Sequence, residues 1–94
     1  EVGAFIRDIN RELERRGIYS DMQRRVTLTV LVDKHGLYKN VELRTSSGDS
    51  SVDKEILNCV EEAVKTAKFT IGTHRGIPVG SYVAIPIIVQ QKPQ

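Results

Sequence analysis

The chain has 94 residues, 39% hydrophobic and 28% charged, with 14 Lys and Arg against 12 Asp and Glu, a net charge of +2. That length and mixture fit one ordinary globular domain, 1–94. The near balance of charge, with basic residues scattered and interrupted by acids, lacks the basic stripe of a nucleic-acid binder. No run approaches the ~18 consecutive apolar residues of a membrane span, and no charged-then-apolar leader opens the chain.

Residues 1–16 are expected to form an amphipathic helix. Val2, Phe5, Ile6, Ile9 and Leu13 fall on one stripe, and Arg7, Asp8, Arg11, Glu12 and Arg15 fall opposite. Gly17 stands where a helix C-terminus favours positive φ. After a connection over 18–24 the period changes to two. Val26, Leu28, Val30 and Val32 alternate with Thr27, Thr29 and Leu31, which describes a strand with one strongly apolar face. Asp33-Lys34-His35-Gly36 is turn chemistry, and a second strand over 37–45 points Val41 and Leu43 inward. The two strands make a hairpin, with His35 solvated at its tip.

Ser46-Ser47-Gly48-Asp49-Ser50-Ser51 is a loop of turn formers, in which Ser50 or Ser51 is the expected N-cap of a second helix over 52–68. Asp53 lies in its first turn, where the helix dipole favours negative charge. Val52, Ile56, Cys59, Val60, Ala63, Val64 and Ala67 share its apolar face. Phe69 follows as a core plug, and 71–76 is expected to be a loop with His74 and Arg75 in solvent. A single long strand is expected over 78–90. In it Val79, Val83, Ile85, Ile87 and Val89 alternate with Gly80, Tyr82, Ala84, Pro86 and Ile88, ahead of a frayed, flexible tail over 91–94. The fold class implied is α+β, in the order helix-strand-strand-helix-strand. It comprises a three-stranded antiparallel sheet with both helices packed on one face.

No phosphate loop, paired metal-ligand spacing or nucleophile elbow is present. Cys59, the one cysteine, has no histidine at a recognisable spacing and reads as a small core residue. Glu61 and Glu62 diverge on a helix. The absence of Trp removes one kind of base-stacking platform. The residues themselves therefore suggest neither an enzyme nor any cofactor. They leave open a protein-binding module, a small mixed α/β RNA-binding domain, an enzyme subunit and an oligomerisation domain.

Several stretches in order resemble the C-terminal domain of TonB-type energy transducers. These are the strand and turn from Val26 to Gly36, then Val41-x-Leu43-x-x-Ser46-Ser47-Gly48, Val52-Asp53, Ala63-x-x-x-Ala67-x-Phe69, and Gly76-Ile77-Pro78-Val79 leading to Ile85-Pro86-Ile87. The likeness covers about Tyr19 to Val89. It departs from the family pattern at Tyr19-Ser20, where Tyr-Pro is common, at Arg24-Arg25, where a Gly often opens the strand, and at Phe69-Thr70-Ile71, where Phe-x-Pro is usual. The resemblance implies a fragment of a longer protein anchored in the inner membrane, with this domain in the periplasm. It implies contact with an outer-membrane TonB-dependent transporter or another envelope protein. It further implies coupling, through an N-terminal part outside this chain, to an ExbB/ExbD-like motor that draws on the proton-motive force. A TolA-like transducer, or a motor- or secretion-linked adaptor, would use the same module. Binding in the family is by strand addition to the last strand, which nominates Tyr82, Ala84, Pro86, Ile88 and Gln90 as partner-binding residues. Exchange of that strand between copies would give a homodimer. No nucleic acid, metal or cofactor is implied.

Overall fold

A computed structural model describes residues 2–67, 73–78 and 80–93. The expected Phe69 plug, Ile71, Gly72 and Val79 lie outside the described residues, as do the side chains of Val2 and His74. The order is α1 (Val2–Arg15), β1 (Arg24–Val32), β2 (Tyr38–Thr45), α2 (Ser50–Val64), β3 (Thr73–His74), β4 (Ile77–Pro78) and β5 (Ser81–Val89).

The stripe of α1 buries Ile9 and Leu13, with Phe5 and Ile6 half-buried beside them. The helix stops as its sequence requires. Gly17 takes φ 73°, its N–H bonds the Glu14 carbonyl at 3.0 Å, and the Ile18 N–H bonds the Leu13 carbonyl at 2.9 Å. This pair of bonds satisfies carbonyls that the helix end would otherwise leave open. On the outer face Glu12 accepts from Arg15 and Arg16, whose hydrogen bonds draw its carboxyl down to about 2. Arg16 also reaches Glu62 on α2 at 3.3 Å, joining the two helices at their rims.

The sheet has the order β2-β1-β5, with both pairings antiparallel. Alternation on β1 is strict: Val26, Leu28, Val30 and Val32 are buried and the residues between them less so. Ile85, Ile87 and Val89 of β5 join them on the same face, and Val41, Leu43 and Val83 are half-buried against it. Val52, Ile56, Cys59, Val60 and Val64 of α2 complete the core. Both helices thus cover one face, α1 against β5 and α2 against β2, and the other face stays open.

Four local expectations are corrected. The N-cap of α2 is Asp49, not Ser50 or Ser51; its carboxylate accepts from the Ser51 N–H at 2.9 Å and the Val52 N–H at 3.4 Å. The helix ends at Val64, capped at Lys65, short of the expected Lys68. The stretch 73–78 folds back on itself as a hairpin of β3 and β4, where a loop and a strand start were expected. Its turn places Arg75 at φ 53° and Gly76 at φ 80°, the positive-φ pair of a two-residue hairpin turn. The tail is also not loose at its start, since Lys92 and Gln91 engage Ser20.

β5 begins at Ser81, the partner of Val32 where β1 ends, and just before it Gly80 passes tightly beside β1. A Cβ built on Gly80 would stand 2.7 Å from the Val32 carbonyl oxygen, closer than side-chain carbons approach backbone.

Candidate partner-binding edge

The candidate site is the outer rim of β5. Its register with β1 runs unbroken from Arg24↔Val89 through Thr27↔Pro86 to Val32↔Ser81. Antiparallel pairs alternate between bonded and non-bonded positions. Proline has no N–H, and its ring would collide with the Thr27 carbonyl if its nitrogen faced β1. Pro86 therefore holds a non-bonded position, and its main-chain groups face away from β1. Tyr82, Ala84 and Ile88 share that parity, so their N–H and C=O groups also point out of the sheet. Val83, Ile85 and Ile87 bond inward. The alternation that sets main-chain direction also sets side-chain direction. Tyr82, Ala84, Pro86 and Ile88 thus lie together on the open face, Tyr82 and Ala84 exposed and Pro86 and Ile88 half-buried.

The fifth nominated residue stands apart. Gln90 lies past the end of β5, and its carbonyl accepts from the Ser20 N–H at 3.0 Å, while the Lys92 N–H bonds the Ser20 carbonyl at 2.8 Å. Gln90 and Lys92 have the same parity as Pro86. The short parallel contact Ser20↔Gln91 therefore occupies the rim where the open run of β5 ends. Ser20 is itself buried, and its hydroxyl donates to Asp21 at 3.1 Å, the main cause holding the Asp21 carboxyl below its usual range.

The open face is organised around Tyr82. The Arg44 guanidinium of β2 lies over its ring, 6.0 Å from the centroid, a cation–π distance. On the way it crosses the central strand, where its Nε donates to the Thr29 hydroxyl at 3.1 Å, and it pairs with Glu42 at 3.0 Å. The edges of the sheet differ in kind. β2 carries Lys39, Glu42 and Arg44 and shifts register against β1 twice, features that discourage another strand from pairing. β5 is Ser-Tyr-Val-Ala-Ile-Pro-Ile-Ile-Val, without a charge and without a shift.

The β5 residues are legible in the sequence alternation, whereas Ser20, Thr29 and Arg44 are not. The Thr alternation on β1 was visible, yet nothing local tells which side chains cross it. A second feature is a polar cavity of about 450 Å³ between Ser20, Asp21, Arg24 and the Ser47–Ser50 turn. Arg24 Nε is buried there without a hydrogen-bond partner, but the first N–H groups of α2 are already taken by Asp49, and Asp21 faces Arg24 at 3.6 Å. The same turn is held by Asp53, whose carboxylate accepts from the Ser47 N–H at 2.9 Å, the Ser47 hydroxyl at 2.7 Å and the Ser46 hydroxyl. Burial pushes the Asp53 carboxyl up, and these three bonds outweigh it and leave it below its ordinary value. Among the described residues no three His, Cys, Asp or Glu side chains gather to hold a metal. Cys59 is buried, and burial pushes its thiol up, away from the reactive thiolate. Among the described residues no helix is long and apolar enough to cross a membrane. Compared with protein-family models, curated proteins and solved structures, the chain matches none.

Proposed function

We propose that this chain is the protein-binding module of a TonB-like energy transducer. In that reading it works in the periplasm and takes a strand from an outer-membrane transporter or another envelope protein onto the rim of β5. The observation that carries the reading is the character of that rim. It is an edge strand of nine residues, uncharged and regular, broken on its outer rim only by the missing N–H of Pro86. Strand addition draws affinity from main-chain bonds and specificity from alternate side chains. The rim offers the N–H and C=O groups of Tyr82, Ala84 and Ile88 and the C=O of Pro86. About five such bonds at ~1 kcal/mol net each, less the cost of ordering the incoming segment, correspond to binding on the order of micromolar. The resemblance of the Val26–Gly36, Ser46–Gly48 and Ile85–Ile87 stretches to the transducer family supplies the cellular setting.

Site-specific photo-crosslinking in the intact cell envelope tests this reading. A photoreactive residue at Tyr82 or Ile88 is expected to capture an outer-membrane β-barrel protein, and one at Lys54 on the outer face of α2 is not. Capture from Lys54 alone, or from neither strand position, refutes it.

A further inference from the structure

The rim of β5 is not an open-ended strand edge. At its Tyr82 end the outward groups are free of pairing among the described residues. At its other end Ser20 already bonds the Gln90 carbonyl and the Lys92 N–H. The turn after Ser20 returns directly into β1, so Ser20 cannot move aside without disturbing the entry to the central strand. An incoming strand that runs along β5 therefore meets main chain at the level of Gln90.

The charge around that closed end is also specific. Arg25 is exposed on the open face and stands opposite Ile88 in the register, and Lys92 is exposed past Ile88, beyond the bond to Ser20. Arg24 has Asp21 at 3.6 Å, but among the described residues no carboxylate pairs with Arg25 or Lys92. Strands lie about 5 Å apart, so a strand added to β5 lies two spacings from Arg25. An arginine on this face spans that gap already: Arg44 reaches from β2 across Thr29 to Tyr82.

We propose, resting on the strand-addition reading above, that the β5 rim is a bounded slot closed by Ser20. Its occupant is a short extended peptide segment of another chain, paired with the stretch Tyr82–Ile88. That segment carries a carboxylate at the end that abuts Ser20, where Arg25 receives it. Ser20 sets where the peptide must stop, and Arg25 selects which peptide stops there.

The test uses end-blocked peptides of alternating Val and Thr with five, seven and nine residues, made with Glu at both termini or with Lys at both, followed by amide exchange and chemical shifts of this chain. In the free protein the Lys92 amide is expected to be protected and the Ala84 and Ile88 amides to exchange freely. With the seven-residue Glu-ended peptide, Ala84 and Ile88 gain protection and Lys92 keeps its own. Affinity is expected to rise from five to seven residues and to gain less than twofold from seven to nine. The Glu-ended peptide is expected to bind at least threefold more tightly than the Lys-ended one at low salt, and Arg25→Ala to erase most of that difference. Protection lost at Lys92 on binding, a further tenfold gain from seven to nine residues, or equal binding of the two charge forms would overturn the bounded slot while leaving strand addition standing. No response at Ala84 or Ile88 to any peptide would overturn both.

Discussion

Replacing Asp53 by Asn tests how the turn beneath the closed end of the rim is held. The side chain keeps its shape, but one acceptor oxygen becomes an NH2 group facing the donors it served. Those donors are the Ser47 N–H at 2.9 Å, the Ser47 hydroxyl at 2.7 Å and the Ser46 hydroxyl. Ser47 is only 3% exposed, so water does not readily replace the lost acceptor there, whereas Ser46 is exposed and recovers solvent bonds. Hydrogen bonds to a charged acceptor contribute about 1.5–3 kcal/mol each, and leaving a buried donor unpaired costs about as much. Counting the two Ser47 bonds and discounting for the partial exposure of Asp53, Asp53→Asn is expected to cost about 2–3 kcal/mol. In a domain of this size that lowers Tm by roughly 10–20 °C. The sign with pH follows from the depressed carboxyl. Its folded value lies below its unfolded one, so the contribution is fully present above the unfolded value and is lost as pH falls through the folded value. Asn does not titrate. Urea denaturation of both proteins from pH 7 to pH 2.5 should therefore show a gap that is widest at neutral pH and closes toward the acid end. A gap under 0.5 kcal/mol at pH 7, or one that does not narrow in acid, would refute the reasoning.

Cys59 should label slowly with a thiol reagent in the native protein, since it is 3% exposed and its thiol is pushed up by burial; labelling as fast as in urea would contradict its placement. Cys59→Ala should cost about 1 kcal/mol as a small core truncation and leave peptide binding unchanged in the titration described above. Removing residues 1–16 takes away Ile9 and Leu13 from the core and strips the cover from β5. The shortened chain should melt at a markedly lower temperature, and an unchanged Tm would mean that α1 has another role.

Much of the architecture was legible because it depends on short-range periodicity. Val26 to Val32 alternate every second residue, and the apolar face of α2 recurs every three to four. No other secondary structure buries those sets on one side. The end of α1 was legible for the same reason, Gly17 being the one residue there free to take positive φ. The N-cap of α2 was not. Asp49, Ser50 and Ser51 offer three capping side chains within three positions, and only the fold shows that the Asp49 carboxylate is the one that reaches the Ser51 and Val52 N–H groups. The start of β5 was missed because the alternation runs on through Gly80 in sequence, while the pairing ends at Val32↔Ser81, between residues 49 positions apart, 81 − 32.

The candidate site divides along the same line. That Tyr82, Ala84, Pro86 and Ile88 share one parity follows from their spacing alone, and the missing N–H of Pro86 turns this parity away from the paired neighbour. Which strand that neighbour is, and which rim is left without one, come from the strand order β2-β1-β5, which no local pattern specifies. The closure at Gln90 belongs there too. Ser20 and Gln91 lie 71 positions apart, 91 − 20, and are brought side by side by the pairing of β1 with β5 and the packing of α1 against β5. Periodicity is a property of neighbours along the chain, whereas the free edge and its stop are properties of which strands meet.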